Sequence, residues 1–153
     1  MGLFTGWRER RKALASLDKR NKAHGSAAQD PDWGASVTLG QKQRVFAWAY
    51  AKLILKAIES GYAVTLGDTF RDPRVFGHMG SKNEGAYGRK NSLHKLKLAG
   101  DLNLFKEGVY LQETEDHREL GEWWEATFAR YDAAWGGHFN DGNHYSFKHR
   151  GFR

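Results

Sequence analysis

Ser92-Leu-His-Lys-Leu-Lys-Leu-Ala-Gly-Asp-Leu-Asn-Leu-Phe105 decides the reading of this chain, because it joins one candidate metal ligand, His94, to a strand that carries another, Asp101. From Leu98 to Phe105 the pattern is that of a pleated strand, with Ala99, Asp101 and Asn103 on one face. Leu98, Leu102 and Leu104 are expected to divide between two sides, an imperfect alternation. A third candidate, His144, follows Asp141-Gly-Asn, which puts Asp141 one turn ahead of it. Two imidazoles and a carboxylate offer zinc three protein ligands and leave a fourth position open, the arrangement of a hydrolytic rather than a structural site. Zinc lowers the pKa of bound water to roughly 7, and a carboxylate such as Asp141 can take its proton as it attacks a carbonyl. The chain reads first as a metallohydrolase.

Working outward, Thr38-Leu-Gly-Gln41 is a capping box that opens a helix ending before Gly61. Phe46, Ala49, Leu53, Ile54 and Ala57 recur at helical spacing and should face the core. Tyr62 to Phe70 alternates as a strand, and Arg71-Asp-Pro-Arg breaks it because proline lacks an amide donor, which places Arg71 at a strand end. Gly77 to Asn91 carries four glycines and should form a long loop over the site. Thr114 to about Trp135 reads as a second long helix with Leu120, Trp123, Trp124, Phe128 and Tyr131 in its apolar stripe, stopped by Gly136-Gly137. At helical spacing only one ring of the Trp123-Trp124 pair can point fully inward. A last strand, His144 to Phe147, should turn His144 and Ser146 to one face and Tyr145 and Phe147 to the other. These elements predict an α+β fold, a small antiparallel sheet with packed helices and a metal site in a cleft on the sheet.

The 153 residues suit one compact domain, and the expected organisation is a basic arm over residues 1–33 followed by a catalytic domain over 34–153. The chain has no cysteine, so thiolate zinc sites and disulfides are excluded and any ion must be held by His, Asp or Glu. No run of about 20 apolar residues is present to span a bilayer, and the N-terminus lacks the apolar stretch of a secretory signal. Net charge is +6, with basic residues concentrated between Arg8 and Lys22, which favours attraction of the arm to anionic lipid or an acidic wall polymer. Charge and scattered aromatics also raise a basic nucleic-acid-binding module, but no groove-reading helix or finger spacing supports specific nucleic-acid binding.

Ser92-x-His94, Ala99-x-Asp101 and, after a helix and Trp135-Gly-Gly, Asp141-x-x-His144 together resemble the LAS-type zinc peptidases. These are D-alanyl-D-alanine carboxypeptidases and dipeptidases, and the L-alanyl-D-glutamate endopeptidases of bacteriophage endolysins. The resemblance covers residues 38–147. It implies that His94, Asp101 and His144 bind Zn²⁺, that Asp141 is the general base, and that Arg71 polarises the scissile carbonyl. Ser92 would support the first ligand or contact substrate. The size and the missing signal look most like a monomeric phage enzyme made in the host cytoplasm that cleaves the peptidoglycan stem peptide at the wall or in the periplasm, with the D-alanyl-D-alanine bond as the close alternative. Two positions depart from the family pattern: Lys97 stands where glycine is frequent, and Ser146 where an acidic residue is. A lone histidine is ordinarily solvated or packed, and His24, His78, His117 and His149 are read that way. His138, beside Gly137, is the further candidate for substrate contact.

Overall fold

The computed structural model describes residues 37–153. Helix α1, Leu39–Glu59, starts where its capping box predicts: the Thr38 hydroxyl accepts the Gln41 amide at 3.3 Å, and the Gln41 side chain accepts the Thr38 amide at 2.8 Å. Two amides that would otherwise lack partners are thereby satisfied. Phe46, Ala49, Leu53 and Ala57 are buried along one stripe together with Val45 and Tyr50, while Ile54 is only partly covered. Gly61, at a φ of 92°, turns the chain out of the helix and into the sheet.

That sheet is antiparallel and small. Its strands are β1 Ala63–Leu66, β2 Ala99–Lys106, β3 Val109–Leu111, β4 Ala133–Trp135 and β5 His144–Phe147, in the order β1-β2-β5-β4 with β3 also paired to β2. Two further α-helices accompany it, the single turn α2, Pro73–Phe76, and α3, Arg118–Thr127. The described residues form one α+β domain, and no helix among them is long and apolar enough to cross a membrane. The expected basic arm, residues 1–33, lies outside the described residues.

Three expectations are corrected. The first strand stops at Leu66 instead of running to Phe70, because Gly67 and Asp68 leave the β1 ladder to bond Asp101 individually. Leu98, Leu102 and Leu104 do not divide between two sides: all are fully buried, and Gly100, Leu102 and Leu104 of β2 share the core face while Asp101, Asn103 and Phe105 are only partly covered. The long second helix is broken. After α3 the chain makes a 3₁₀ turn, Ala129–Tyr131, reverses at Asp132 with a φ of 59°, and enters β4, where Ala133 and Trp135 pair with Phe147 and Tyr145. Ala-Ala-Trp has no local preference against a helix. Its hydrogen bonds to β5 and complete burial override propensity.

The core between α1, α3 and the sheet is aromatic. Trp124 stacks on Phe147 with ring centroids 5.3 Å apart, and Tyr131 on the same ring at 5.8 Å. Phe46 meets Phe147 edge-on at 5.4 Å. Each such ring contributes about 1.5–3 kcal/mol through burial, with edge and stacking contacts adding to it. Trp124 is the inward member of the tryptophan pair and Trp123 the partly covered one. The result is a rigid wall behind β2 and β5, the two strands that carry candidate ligands.

Candidate metal centre

Antiparallel pairing of β2 with β5 sets Asp101 directly opposite His144. His94 arrives from a 3₁₀ turn, Leu93–Leu96, which ends at Lys97 in the left-handed region with φ 55° and ψ 37°. Glycine takes that conformation without steric cost, whereas lysine pays about 1–2 kcal/mol. The Lys97 ammonium lies 4.7 Å from the Phe70 ring, a contact that offsets part of the strain. The reversal returns the chain to β2 with His94 folded over the strand.

The donor atoms converge. His94 Nε2 is 3.2 Å from His144 Nδ1 and 3.3 Å from Asp101 Oδ1, and His144 Nδ1 is 3.1 Å from the same carboxylate oxygen. His94 and His144 are buried, at 2 % and 8 % exposure, so water does little to separate them. The trio could hold a metal ion. Burial by itself pushes the Asp101 carboxyl up, but hydrogen bonds from His144 and His94, together with their charge, outweigh it and hold the group at about 2. Asp101 therefore stays anionic throughout the neutral range. Its backbone is pinned from behind, since its carbonyl accepts the Tyr50 hydroxyl at 2.9 Å and the Gly67 amide at 2.8 Å. His94 Nδ1 is buried with no hydrogen-bond partner among the described residues, so that ring is oriented by packing and by its Nε2 contacts.

These three residues line a cleft of about 300 Å³ together with Arg71, Ser92 and Asp141. Asp141 is reached through a tight turn: its amide donates to the Gly136 carbonyl at 3.0 Å and its carbonyl accepts the His144 amide at 3.1 Å. Arg71 sits in the loop after β1 rather than on a strand end, and its side chain is largely enclosed. Nε and Nη2 each donate to Asp68 Oδ2 at 2.9 Å, Nη1 donates to Ser92 Oγ at 3.1 Å, and the guanidinium faces the Tyr87 ring at 5.0 Å. Ser92 thus holds the arginine. His138 is not brought to the cleft. Its Nε2 pairs with Glu125 Oε2 at 2.8 Å on a side chain that is 54 % exposed, and the next residue, Phe139, lines the cleft in its place. Of the two family departures, Lys97 occupies the left-handed position just described, and Ser146 bonds the Ala134 carbonyl at 3.4 Å within the sheet.

Several contributors escaped the sequence reading. Asp68 lies three residues before Arg71, a spacing that could have suggested an ion pair. Tyr87, Arg89, Phe139 and Arg153 gave no signal. Lys95 is the least expected, since it is 6 % exposed and its ammonium donates to the carbonyls of Ser81 at 2.7 Å, Lys90 at 3.1 Å and His78 at 3.4 Å. One cation thereby ties both ends of the Gly77–Asn91 loop to the turn that carries His94. Lys95→Met keeps the stem and removes the three donors, which should cost about 1–3 kcal/mol as the carbonyls lose their partner. Hydrogen exchange is expected to accelerate in residues 77–91 and stay slow in β2. Unchanged exchange in the loop with an unchanged melting temperature would refute this role.

Chemically, the cleft offers a convergent nitrogen and oxygen donor set, a carboxylate with no hydrogen bond or ion pair to a described residue in Asp141, and a guanidinium held in place by its own partners. Such a set can bind a cation, accept a proton and stabilise a developing oxyanion. No protein-family model and no curated protein matches the chain.

Proposed function

We propose that this domain is a zinc peptidase of the LAS type, hydrolysing the L-alanyl-D-glutamate bond of the peptidoglycan stem as the lysis enzyme of a bacteriophage. The observation that carries the reading is the triangle of donors, 3.1 to 3.3 Å on a side, in a cleft that also presents Asp141 and Arg71. Tetrahedral zinc, with bonds of about 2.0–2.1 Å to nitrogen and oxygen, spaces its ligands about 3.3 Å apart. The donor set suits zinc on chemistry as well, because imidazole with a single carboxylate is borderline rather than hard. His94, Asp101 and His144 would hold the ion, which when bound supplies a Lewis acid and an acidified water.

The remaining work falls to the chain. Asp141 accepts the proton of the attacking water and delivers it to the departing amine. Arg71, with Nε and one N–H of each terminal nitrogen committed to Asp68 and Ser92, keeps N–H groups for the carbonyl oxygen as it becomes negative. Its fixed partners mean that little reorganisation accompanies the reaction. The arm would draw the enzyme to anionic lipid or wall polymer.

Digestion of purified peptidoglycan tests the reading. New D-glutamate amino termini are expected by mass spectrometry and end labelling, lost on chelation and restored by added zinc. Release of D-alanine would keep the chemistry and move the bond to the carboxypeptidase alternative. Absence of any cleavage sinks the peptidase, and salt-sensitive DNA binding indifferent to His94→Ala would then favour the nucleic-acid module.

A further inference from the structure

Among the described residues, His117 is the one buried histidine outside the metal centre. It is 2 % exposed and stands where the 3₁₀ turn Thr114–His117 passes into α3. Its Nδ1 lies 3.5 Å from the hydroxyl of Tyr145, a fully buried residue of β5, and the ring also hydrogen-bonds the Leu111 backbone on β3. The neutral ring suits this setting, because one nitrogen can donate to the Leu111 carbonyl while Nδ1 receives the Tyr145 proton. An imidazolium does not. It would make Nδ1 a donor, lie out of reach of water, and set a positive charge at the N-terminus of α3, where the helix dipole opposes cations. Of the charged groups nearby, Asp116 on the same turn favours the protonated ring, and Arg118 is engaged with Glu115 at 2.6 Å. Tyr145 and, from α1, Tyr50 are kept protonated by burial, with Tyr62 also close to Tyr145. For His117 burial outweighs the Leu111 bond and the Asp116 charge, and holds the ring below its ordinary pKa.

The turn that ends at His117 also props the segment carrying Asp141 and His144. Gly142 comes so close to Thr114 that a Cβ on it would lie 2.6 Å from Thr114 Cα and 3.2 Å from its carbonyl oxygen. Thr114 Oγ1 donates at 3.2 Å to Oδ1 of Asn140, the residue that closes the 3₁₀ turn Gly136–Phe139. A second support comes through Trp135, whose indole donates to the Gly142 carbonyl at 2.7 Å and whose ring packs on Gly121 of α3 so tightly that a Cβ there would fall on it. Both supports lead back to His117, since Thr114 lies three residues before it and Gly121 four after. We propose that neutral His117 is a positioning residue for Asp141 and His144, and that protonation of its ring expels it and loosens both supports, so that acid disarms the metal centre from a point remote from the ligands. This inference rests on the convergence of the ligands and not on which bond is cleaved.

Hydrogen exchange on the full chain tests it between about pH 5 and pH 8. Because opening takes up a proton, the supports hold fully above about pH 6.5 and weaken as pH falls from there toward the folded pKa of His117. The Asp141 and His144 amides, both hydrogen-bonded in the closed turn, report the opening once intrinsic rates are divided out. His117→Gln is uncharged throughout, so the ratio of wild-type to variant exchange at these amides removes the titration of His94 and His144 themselves. That ratio should climb with acid by up to about tenfold per pH unit within the window, and zinc affinity measured by calorimetry should fall more steeply in wild type than in the variant by the same factor. The His117 ring should titrate below 6.5 by NMR. Failure of both proteins to bind zinc with the exchange response intact would uphold the positioning role and remove the metal. If the variant does not fold, a break in the wild-type exchange curve at the ring's own midpoint upholds the proposal, and a curve with no break there overturns it. A ring that titrates at or above 6.5, an equal response in the variant, or acceleration confined to α3 would also overturn it.

Discussion

Asp141→Ala is expected to leave the metal bound and lower turnover by about 10²–10⁴-fold, the range for loss of a general base. The structure makes this a clean experiment. The Asp141 side chain is exposed and has no hydrogen bond or ion pair with a described residue, so its removal orphans nothing, and its backbone turn with Gly136 and His144 does not depend on the carboxylate. Stability should stay within about 0.5 kcal/mol of wild type. His144→Ala should behave differently. It deletes a buried donor that touches both His94 and Asp101, leaving a carboxylate with one nitrogen partner, and the metal should be lost together with activity. Steady-state rates on a stem peptide, paired with metal content after gel filtration, separate the two roles. Full activity of Asp141→Ala, or full metal content in His144→Ala, would refute the corresponding assignment.

What could be read from the sequence divides along a physical line. Helix α1 was legible because its capping box and its 3.6-residue stripe are both local, and β5 because four residues alternate inside one strand. The convergence of two candidate ligands was legible for a related reason: His94 and Asp101 lie seven residues apart in the sequence, with a single reversal between them. Strand β4 was not, since Ala-Ala-Trp acquires its conformation only from β5, which lies beyond the following turn in sequence. The mouth of the cleft was hidden for a stronger reason. Asn140 holds a positive φ that asparagine tolerates, but Arg150 holds one that arginine rarely adopts, so the turn that aims Arg153 is fixed by the backbone pairing of His149 with Phe152 more than by residue type. His138 shows the same limit, because a one-residue difference in a 3₁₀ turn decides whether it or Phe139 faces the ligands.

Gly136→Ala probes the link between that turn and the candidate metal centre. Gly136 is buried, and a Cβ built on it would fall on the Asp141 carbonyl oxygen and lie 2.7 Å from His144 Cβ. Neither obstacle is a flexible side-chain end. The carbonyl is the acceptor for the His144 amide, and Gly136's own carbonyl accepts the Asp141 amide, so a methyl group cannot be admitted without opening the bond that seats His144. Overpacking of this kind costs about 1–3 kcal/mol, and with backbone on the receiving side the upper end is expected. The consequence for function follows from distance. His144 Nδ1 meets two donors at 3.1 and 3.2 Å, and a shift of a few tenths of an ångström in its backbone spoils a geometry that metal binding requires. Ligand-linked stabilisation reads this directly, because an ion that binds only the folded state stabilises it in proportion to the logarithm of its concentration over the dissociation constant. Gly136→Ala should melt lower without metal and show a much smaller zinc-induced rise, the latter corresponding to at least a tenfold loss of affinity. Gly40→Ala supplies the contrast. Its Cβ would meet only Arg44 Nη1, at 3.9 Å, within α1, where alanine is favoured over glycine by about 0.5–1 kcal/mol, so that variant should melt higher with its zinc response intact. An unchanged zinc response in Gly136→Ala would mean that the turn does not position His144.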